Sequence, residues 1–193
     1  MDAADGTGYG RTARTAAGLR VGLRAGGGTG CLAPRCSDAA WKVRAQASRK
    51  QRAVAFGKEL RPGDALGRLE IPRLGLRVVV VEGTSADELA RGPGHYPTTP
   101  LPGLGGTAAV AGHRTTYSHP FRHLDELGAG DRIDLTTPYG SFRYIVHGRR
   151  VVDDRDWSIV RPRSFEQLVL TACHPLYSAA KCIIVSARLG AAV

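Results

Sequence analysis

Residues 168–175, LVLTACHP, contain the run that decides the fold of this chain. The first four residues are apolar or β-branched, which is typical of a buried strand. Pro175 lacks the backbone N–H group that a central strand needs, so the strand must end near it. The sequence therefore predicts that Cys173 lies at the end of a strand, beside a loop and within reach of solvent.

His113 is the best candidate for a partner of the Cys173 thiol. A cysteine attacks as the thiolate, which needs a base or a cation nearby at neutral pH. Residues 106–112, GTAAVAG, read as a second buried strand that ends in front of His113. Two neighbouring strands that end in this way would bring the thiol and the imidazole together, although either residue alone is more often structural.

The rest of the segment 62–193 alternates short strand signals with turn residues. Ser85 and Glu88 have the spacing of a capping box, which begins a short helix. Strands are predicted at residues 66–71, 76–81, 131–136 and 141–152, the last two as a hairpin. Many short strands with small helices and close turns suit a mainly β fold of the barrel type.

Several stretches, in order and at family spacing, resemble the sortase family, and most closely the class E sortases of high-GC Gram-positive bacteria. They include residues 69–72 (LEIP), 81–84 (VEGT), 92–96 (GPGHY), 111–117 (AGHRTTY) and 170–175 (LTACHP). The likeness extends over about residues 63–189. It implies an eight-stranded sortase-type β-barrel with short helices, and the activity of a cysteine transpeptidase.

The resemblance also implies roles for individual residues. Sortases cleave a sorting signal of the LPxTG or LAxTG type after its threonine, hold the acyl group as a thioester and pass it to an amine. Cys173 matches the nucleophile and His113 the general acid and base, a task that suits a group titrating near neutrality. Thr171, Tyr117 and Arg114 are assigned to the substrate groove.

The same resemblance implies the partners and the setting of the protein. The donors are surface proteins that carry a sorting signal, and the acceptor amine belongs to a cell-wall precursor or to another protein. The protein is expected to be a monomer at the cell surface, outside the cytoplasm. This chemistry requires no cofactor, and the four scattered cysteines do not have the spacing of a zinc site.

One position departs from the family pattern. Sortases carry an arginine on the strand after the cysteine, and counting through residues 177–181 (YSAAK) places Cys182 there. If residues 174–181 close a hairpin, Cys173 and Cys182 face each other at a Cα separation that a disulfide accepts. Three alternatives stay open: a weakened or inactive sortase-like peptide-binding domain, a bridge that masks the nucleophile, and a neutral replacement.

Positive charge is concentrated at the N-terminus of this 193-residue chain, whose formal net charge is +10. Residues 1–61 contain twelve basic and four acidic residues, whereas residues 62–193 contain fifteen and thirteen. The sequence therefore predicts a flexible, low-complexity basic tail or linker over 1–61 and a sortase domain over 62–193. A basic helix over residues 39–60 and peripheral contact with anionic lipid or wall polymer are the alternatives to a solvated linker. Nucleic-acid binding is not expected, because no reader motif accompanies the charge.

No transmembrane anchor is visible in the sequence. The longest purely aliphatic run is residues 78–81, whereas a spanning helix needs about 20 apolar residues. No stretch has the charged, apolar and small-residue order of a signal peptide. Two expectations stay open: export by another route, or a wrongly assigned start whose residues replace the true anchor.

Overall fold

The computed structural model of the protein describes residues 35–156, 160–161 and 163–190. The helices and strands within these residues are α1 (Arg35–Glu59), β1 (Ala65–Ile71), β2 (Leu76–Glu82), α2 (Ala86–Arg91), β3 (Gly94–His95), β4 (Thr107–Ala111), β5 (Arg132–Thr137), β6 (Gly140–Asp153), β7 (Gln167–His174) and β8 (Lys181–Leu189). Residues Cys36–Val193 form one compact unit. The first 34 residues of the predicted flexible tail lie outside the described residues.

The eight strands form a closed barrel in the order β1-β2-β3-β4-β7-β8-β6-β5. Neighbouring strands are antiparallel at six of the contacts. The pairs β2/β3 and β4/β7 are parallel. The prediction of an eight-stranded barrel is confirmed, and closure leaves no open sheet edge in it.

The local predictions also agree with the structure. The strands predicted at residues 66–71, 76–81, 131–136 and 141–152 match β1, β2, β5 and β6 to within a residue or two at most ends. The capping box before α2 is present, and the Ser85 backbone N–H donates to Glu88 Oε2 at 2.6 Å. These features could be predicted because they depend on neighbours in the sequence.

The side chains of β7 and β8 point alternately into the barrel and onto its outer face. Even-numbered residues of β7 from 168 to 172 and odd-numbered residues of β8 from 183 to 187 lie in the main core. Val169 and Ile184 form a second apolar cluster with Ala109 of β4, which we call the outer-face cluster. Because strand side chains alternate, Cys173 and Cys182 lie on the same outer face.

Helix α1 occupies the second half of the segment predicted as a tail or linker, where a basic helix was one alternative. Ala53 is fully buried, and the ring centroids of Phe56 and Tyr139 are 5.5 Å apart. Arg52 Nη2 donates to the Tyr139 carbonyl oxygen at 3.3 Å. The last turns of α1 therefore contact the β5–β6 turn, and the division of the chain at residues 61 and 62 stays a prediction. No helix in the described part of the chain is long and apolar enough to cross a membrane.

Candidate active site

The parallel pairing of β4 with β7 brings His113 level with Cys173. Ala111, the last residue of β4, pairs with Thr171 of β7. Two residues further along each chain lie His113 and Cys173. Because neighbouring strands lie about 4.8 Å apart, the two predicted residues follow the last paired positions of β4 and β7 at the same end of the barrel.

Cys173 and Cys182 are directly opposed across β7 and β8, as the hairpin count predicts. Both are free thiols, Cys173 exposed and Cys182 partly buried. Partial burial raises the pKa of Cys182, and electrostatic interactions with Cys173 and Asp154 raise it further. Cys182 therefore presents a neutral thiol at the position where the family pattern carries a cation.

His113 lies half-buried in the loop after β4. Its Nε2 is buried and has no hydrogen-bond partner among the described residues. Leaving a buried polar atom unpaired is unfavourable, and such atoms often mark places where a ligand or a reacting group completes the bonding. The free Nε2 is therefore suited to exchange a proton with a bound reactant.

Gly112 and Tyr117 lie on either side of His113 in the loop after β4. A Cβ on Gly112 would lie 2.5 Å from the ring of Phe121, which is fully buried, so this close approach requires glycine. The rings of His113 and Tyr117 are 5.0 Å apart. Tyr117 has φ 53°, a left-handed conformation that is uncommon for a residue with a side chain. Tyr117 is 62% exposed, and its groove role stays a prediction.

Arg114 ties the loop after β4 to the end of β7. Its guanidinium donates to the Arg122 carbonyl oxygen at 3.0 and 3.2 Å and pairs with Asp125 at 2.7 Å. Its Nη1 also contacts the Cys173 carbonyl oxygen at 3.5 Å and His174 Nδ1 at 3.1 Å. Because an arginine only donates, His174 Nδ1 is the acceptor. The side chain is 1% exposed, so this placement does not favour the groove contact, which stays a prediction.

Asp125 completes the contacts of Arg114, and sequence reasoning missed it. Partial burial raises the pKa of Asp125, but hydrogen bonds from its own backbone amide and from Arg114 outweigh that effect and lower the pKa below the ordinary aspartate value. The carboxylate is therefore ionised at neutral pH. No motif or periodicity around Asp125 indicated this contact.

Tyr96 is a second residue that sequence reasoning missed. Its hydroxyl lies 3.2 Å from Thr171 Oγ1, and its ring packs against the outer-face cluster. Burial raises the pKa of Tyr96; the hydrogen bond with Thr171 opposes that effect, and the electrostatic influence of the nearby Cys182 and Cys173 sulfurs adds to it. Tyr96 is therefore a neutral hydroxyl near both thiols. Thr171 is itself only 3% exposed, and its groove role stays a prediction.

The sequence and the fold are both similar to known proteins. The family model of the sortase domain matches residues 69–190. Sortase D of Bacillus subtilis (strain 168) is 40% identical over 114 residues, which cover 58% of this chain and 56% of the relative. Sortase SrtE1 of Streptomyces coelicolor is 38% identical over 90 residues, which cover 43% of this chain and 26% of the relative. The matched region thus spans about half or less of these curated relatives.

Solved structures give the same result for the fold. A sortase D5 transpeptidase of Clostridium perfringens aligns with a TM-score of 0.66 and 26% identity, over 73% of this chain and 88% of that chain. Sortase E from Streptomyces avermitilis aligns with a TM-score of 0.62 and 33% identity, over 68% and 91%. Proteins named as sortase D and as sortase E are both similar to the chain, and the class E assignment stays a prediction.

Proposed function

Because the chain belongs to the sortase family, we propose that it is a cysteine transpeptidase that cleaves an LPxTG- or LAxTG-type sorting signal after the threonine. The register of β4 with β7 carries the proposal, since it brings His113 level with Cys173. The exposure of the Cys173 thiol supports access of a polypeptide to the nucleophile. The buried Nε2 of His113 supports a role in proton transfer.

The proposed reaction uses the two residues in turn. The Cys173 sulfur attacks the threonine carbonyl carbon while its proton is held by His113. His113 then returns a proton to the departing glycine amine, and the acyl group remains on Cys173 as a thioester. An acceptor amine attacks the thioester, gives its proton to His113 and releases Cys173. The product is a new amide bond, and the enzyme returns to its starting state.

A weakened or inactive peptide-binding sortase domain is the second candidate function. Cys182 at the family's arginine position favours it, because a neutral thiol cannot stabilise an oxyanion as a guanidinium does. Arg114 does not replace that group, since its donors already contact Arg122, Asp125, Cys173 and His174. Losing one oxyanion donor costs roughly 10²–10³ in turnover, so we expect slow catalysis rather than none.

The proposed partners follow from this activity. We expect the donors to be surface proteins that end in a sorting signal, and the acceptor to be an amine of a cell-wall precursor or of another protein. The protein would act as a monomer, outside the cytoplasm. Peripheral contact of the basic segment 1–61 with the membrane or the wall is part of the same proposal.

The first prediction concerns the acyl-enzyme. Incubation of the full chain with an LAxTG or LPxTG peptide and no added amine should give a mass increase on Cys173 that equals the acyl fragment. Hydroxylamine should release that fragment, because it attacks the thioester. Cys173→Ala should abolish both signals, and His113→Gln should reduce turnover by about 10²–10⁴.

Cys182→Ala is the matched control for the loss of a site thiol, and it should still form the acyl-enzyme. Thermal unfolding of each variant separates a catalytic loss from a folding defect. Absence of acylation and of turnover with all sorting peptides would refute the transpeptidase proposal. Retained peptide binding in that case would favour the second candidate.

A further inference from the structure

A basic cavity lies on the outer face of β6, β7 and β8, apart from the two thiols. It has a volume of about 350 Å³. Four arginines, Arg149, Arg150, Arg163 and Arg188, line it together with His147. The Arg149 guanidinium donates to the Leu127 carbonyl oxygen at 3.3 Å, so Arg163 and Arg188 are the cations on which the inference rests. None of the lining residues, all within the described part of the chain, is acidic. A concave surface lined by one sign of charge raises the local concentration of ligands with the opposite charge.

The cavity is continuous with the wall of the candidate active site. Val169 and Ile184 line the cavity and also belong to the outer-face cluster. Cys182 and Arg188 lie on the same face of β8 and six residues apart, which corresponds to about 20 Å along a strand. An extended peptide of about six residues spans that distance. A polypeptide bound at Cys173 therefore reaches the cavity without leaving the outer face.

At the end of the cavity far from the thiols, the neighbouring acid Glu166 does not neutralise the positive charge of Arg188. Glu166 precedes β7, and its Oε1 accepts hydrogen bonds from Tyr144 Oη and Gly103 N, both at 2.8 Å. The Arg188 guanidinium lies over the ring of Phe165, 4.4 Å from the centroid. This stacking holds the cation at the cavity wall. Arg163 adds an exposed charge from the segment before β7.

The charge and the position of the cavity indicate the kind of ligand that it takes. The exposed cations of Arg163 and Arg188 attract carboxylates. The outer face on which the cavity lies is the one that carries Cys173 and Cys182. Carboxylates of a polypeptide that lies along this face therefore meet the cavity.

We propose that this cavity binds acidic side chains of the donor polypeptide about four to six residues away from the bond that is cleaved. The proposal rests on the proposed function, because that function places the donor polypeptide at Cys173. Asp154 lies near Cys182, at the opposite end of this face. Acidic residues directly beside the cleaved bond therefore gain no binding affinity from the cavity. The preference for acidic residues thus depends on their distance from the cleaved bond.

The test compares the binding of three fluorescent peptides to the full chain with Cys173→Ala, which prevents turnover. Each peptide contains LAxTG: one carries glutamates about six residues from the Thr–Gly bond on both sides, one carries glutamines there, and one carries glutamates next to the motif. Fluorescence anisotropy should show about two- to five-fold tighter binding of the first peptide per arginine engaged. This advantage should shrink in 500 mM salt.

Substitutions then assign the preference to the cavity. Arg188→Gln and Arg163→Gln should each reduce the advantage of the distal glutamates, whereas Arg188→Lys should keep most of it. Arg73→Gln is the matched control, because Arg73 is exposed in the turn between β1 and β2 and does not line the cavity. Thermal unfolding checks that each variant is folded.

Equal binding of the distal glutamate and glutamine peptides would overturn the inference, and so would a preference that survives both glutamine variants. Lack of measurable binding by all three peptides would also overturn it. Failure of the transpeptidase proposal has a different signature, namely no acyl-enzyme on Cys173 of the unsubstituted chain. The two proposals can therefore fail separately.

Discussion

Cys182 is the residue that the sequence places where sortases are expected to carry an arginine. It lies directly opposite Cys173, and its raised pKa keeps the thiol neutral. The hydroxyl of Tyr96 lies near both thiols and hydrogen-bonds with Thr171. A tetrahedral intermediate at Cys173 would therefore meet neutral hydrogen-bond donors on this side instead of a fixed cation.

We expect Cys182→Arg to raise kcat/KM for sorting-peptide cleavage by at least about tenfold, because loss of one oxyanion donor costs roughly 10²–10³. The long arginine stem can extend over the outer face and keep its charge hydrated. Steady-state peptide cleavage measures the change. Cys182→Met is the control of similar bulk without charge, and an equal gain in that variant would contradict the electrostatic explanation.

The positions of both cysteines could be predicted from the sequence, whereas their surroundings could not. The β-branched run, Pro175 and a hairpin of known length determine which residues oppose each other. The contact of Tyr96 with Thr171 depends on the order of strands around the barrel, which no local pattern encodes. The cavity beside Arg188 has the same origin.

At the scale of elements, the site consists of the ends of β4 and β7 and of the loop after β4. In that loop, Arg114 contacts the end of β7 through its side chain. Strand β4 ends before Gly112, and β7 ends at His174. Arg114 joins these ends to the 3₁₀ turn at Leu124–Glu126 through its pairing with Asp125. The relative position of His113 and Cys173 is therefore maintained by one buried guanidinium as well as by backbone pairing.

We expect Arg114→Met to lower the free energy of unfolding by about 2 kcal/mol, because carbonyl groups at Arg122 and Cys173 lose a charged donor. Urea unfolding measures this change. The lowered pKa of Asp125 stabilises the folded state above the ordinary aspartate range, and this contribution is lost as the pH falls through the lowered value. The difference in unfolding free energy between Arg114→Met and the unsubstituted protein should therefore narrow below about pH 4.

Arg77→Met provides the matched control for this substitution. Arg77 pairs with Glu70 at 3.2 Å, but its side chain is 71% exposed. Exposed pairs of this kind contribute little, so its unfolding free energy should stay within about 0.5 kcal/mol of the unsubstituted protein. Equal losses of unfolding free energy in Arg114→Met and Arg77→Met would show that the buried contacts of Arg114 do not stabilise the fold as the structure indicates.

The strands of this region were predictable as elements, and the role of Arg114 was not. Sequence reasoning placed Arg114 in the substrate groove. The structure shows a buried side chain whose partners come from two separate segments, residues 122–125 and the end of β7. Such a contact depends on how a loop folds back over the barrel, and alternation along a strand carries no information about it.

At the scale of the whole molecule, the basic segment before the barrel is more than a solvated linker. Helix α1 buries Ala53 and packs Phe56 against the barrel, while its outward side remains exposed. Composition alone predicted low complexity for this segment, because its first part is rich in Gly, Ala, Thr and Arg. The few residues that contact the barrel are spaced as one helix face, and their partner Tyr139 lies far away in the sequence.

We expect Phe56→Ala to lower the free energy of unfolding by about 2 kcal/mol, since it removes a half-buried ring that contacts Tyr139. Val54→Ala is the matched control on the same helix, because Val54 is 44% exposed. We expect its unfolding free energy to change by less than about 0.5 kcal/mol. Identical urea midpoints for both variants would show that α1 does not dock on the barrel in solution.

The parallel contact between β4 and β7 has a consequence for the folding of the newly synthesised chain. Parallel partners distant in sequence pair late, because the intervening chain must first be arranged. Until these two strands meet, His113 and Cys173 belong to separate parts of an open polypeptide. On the proposed function, turnover would therefore begin only after β4 and β7 have paired, and it would report that this step of folding is complete.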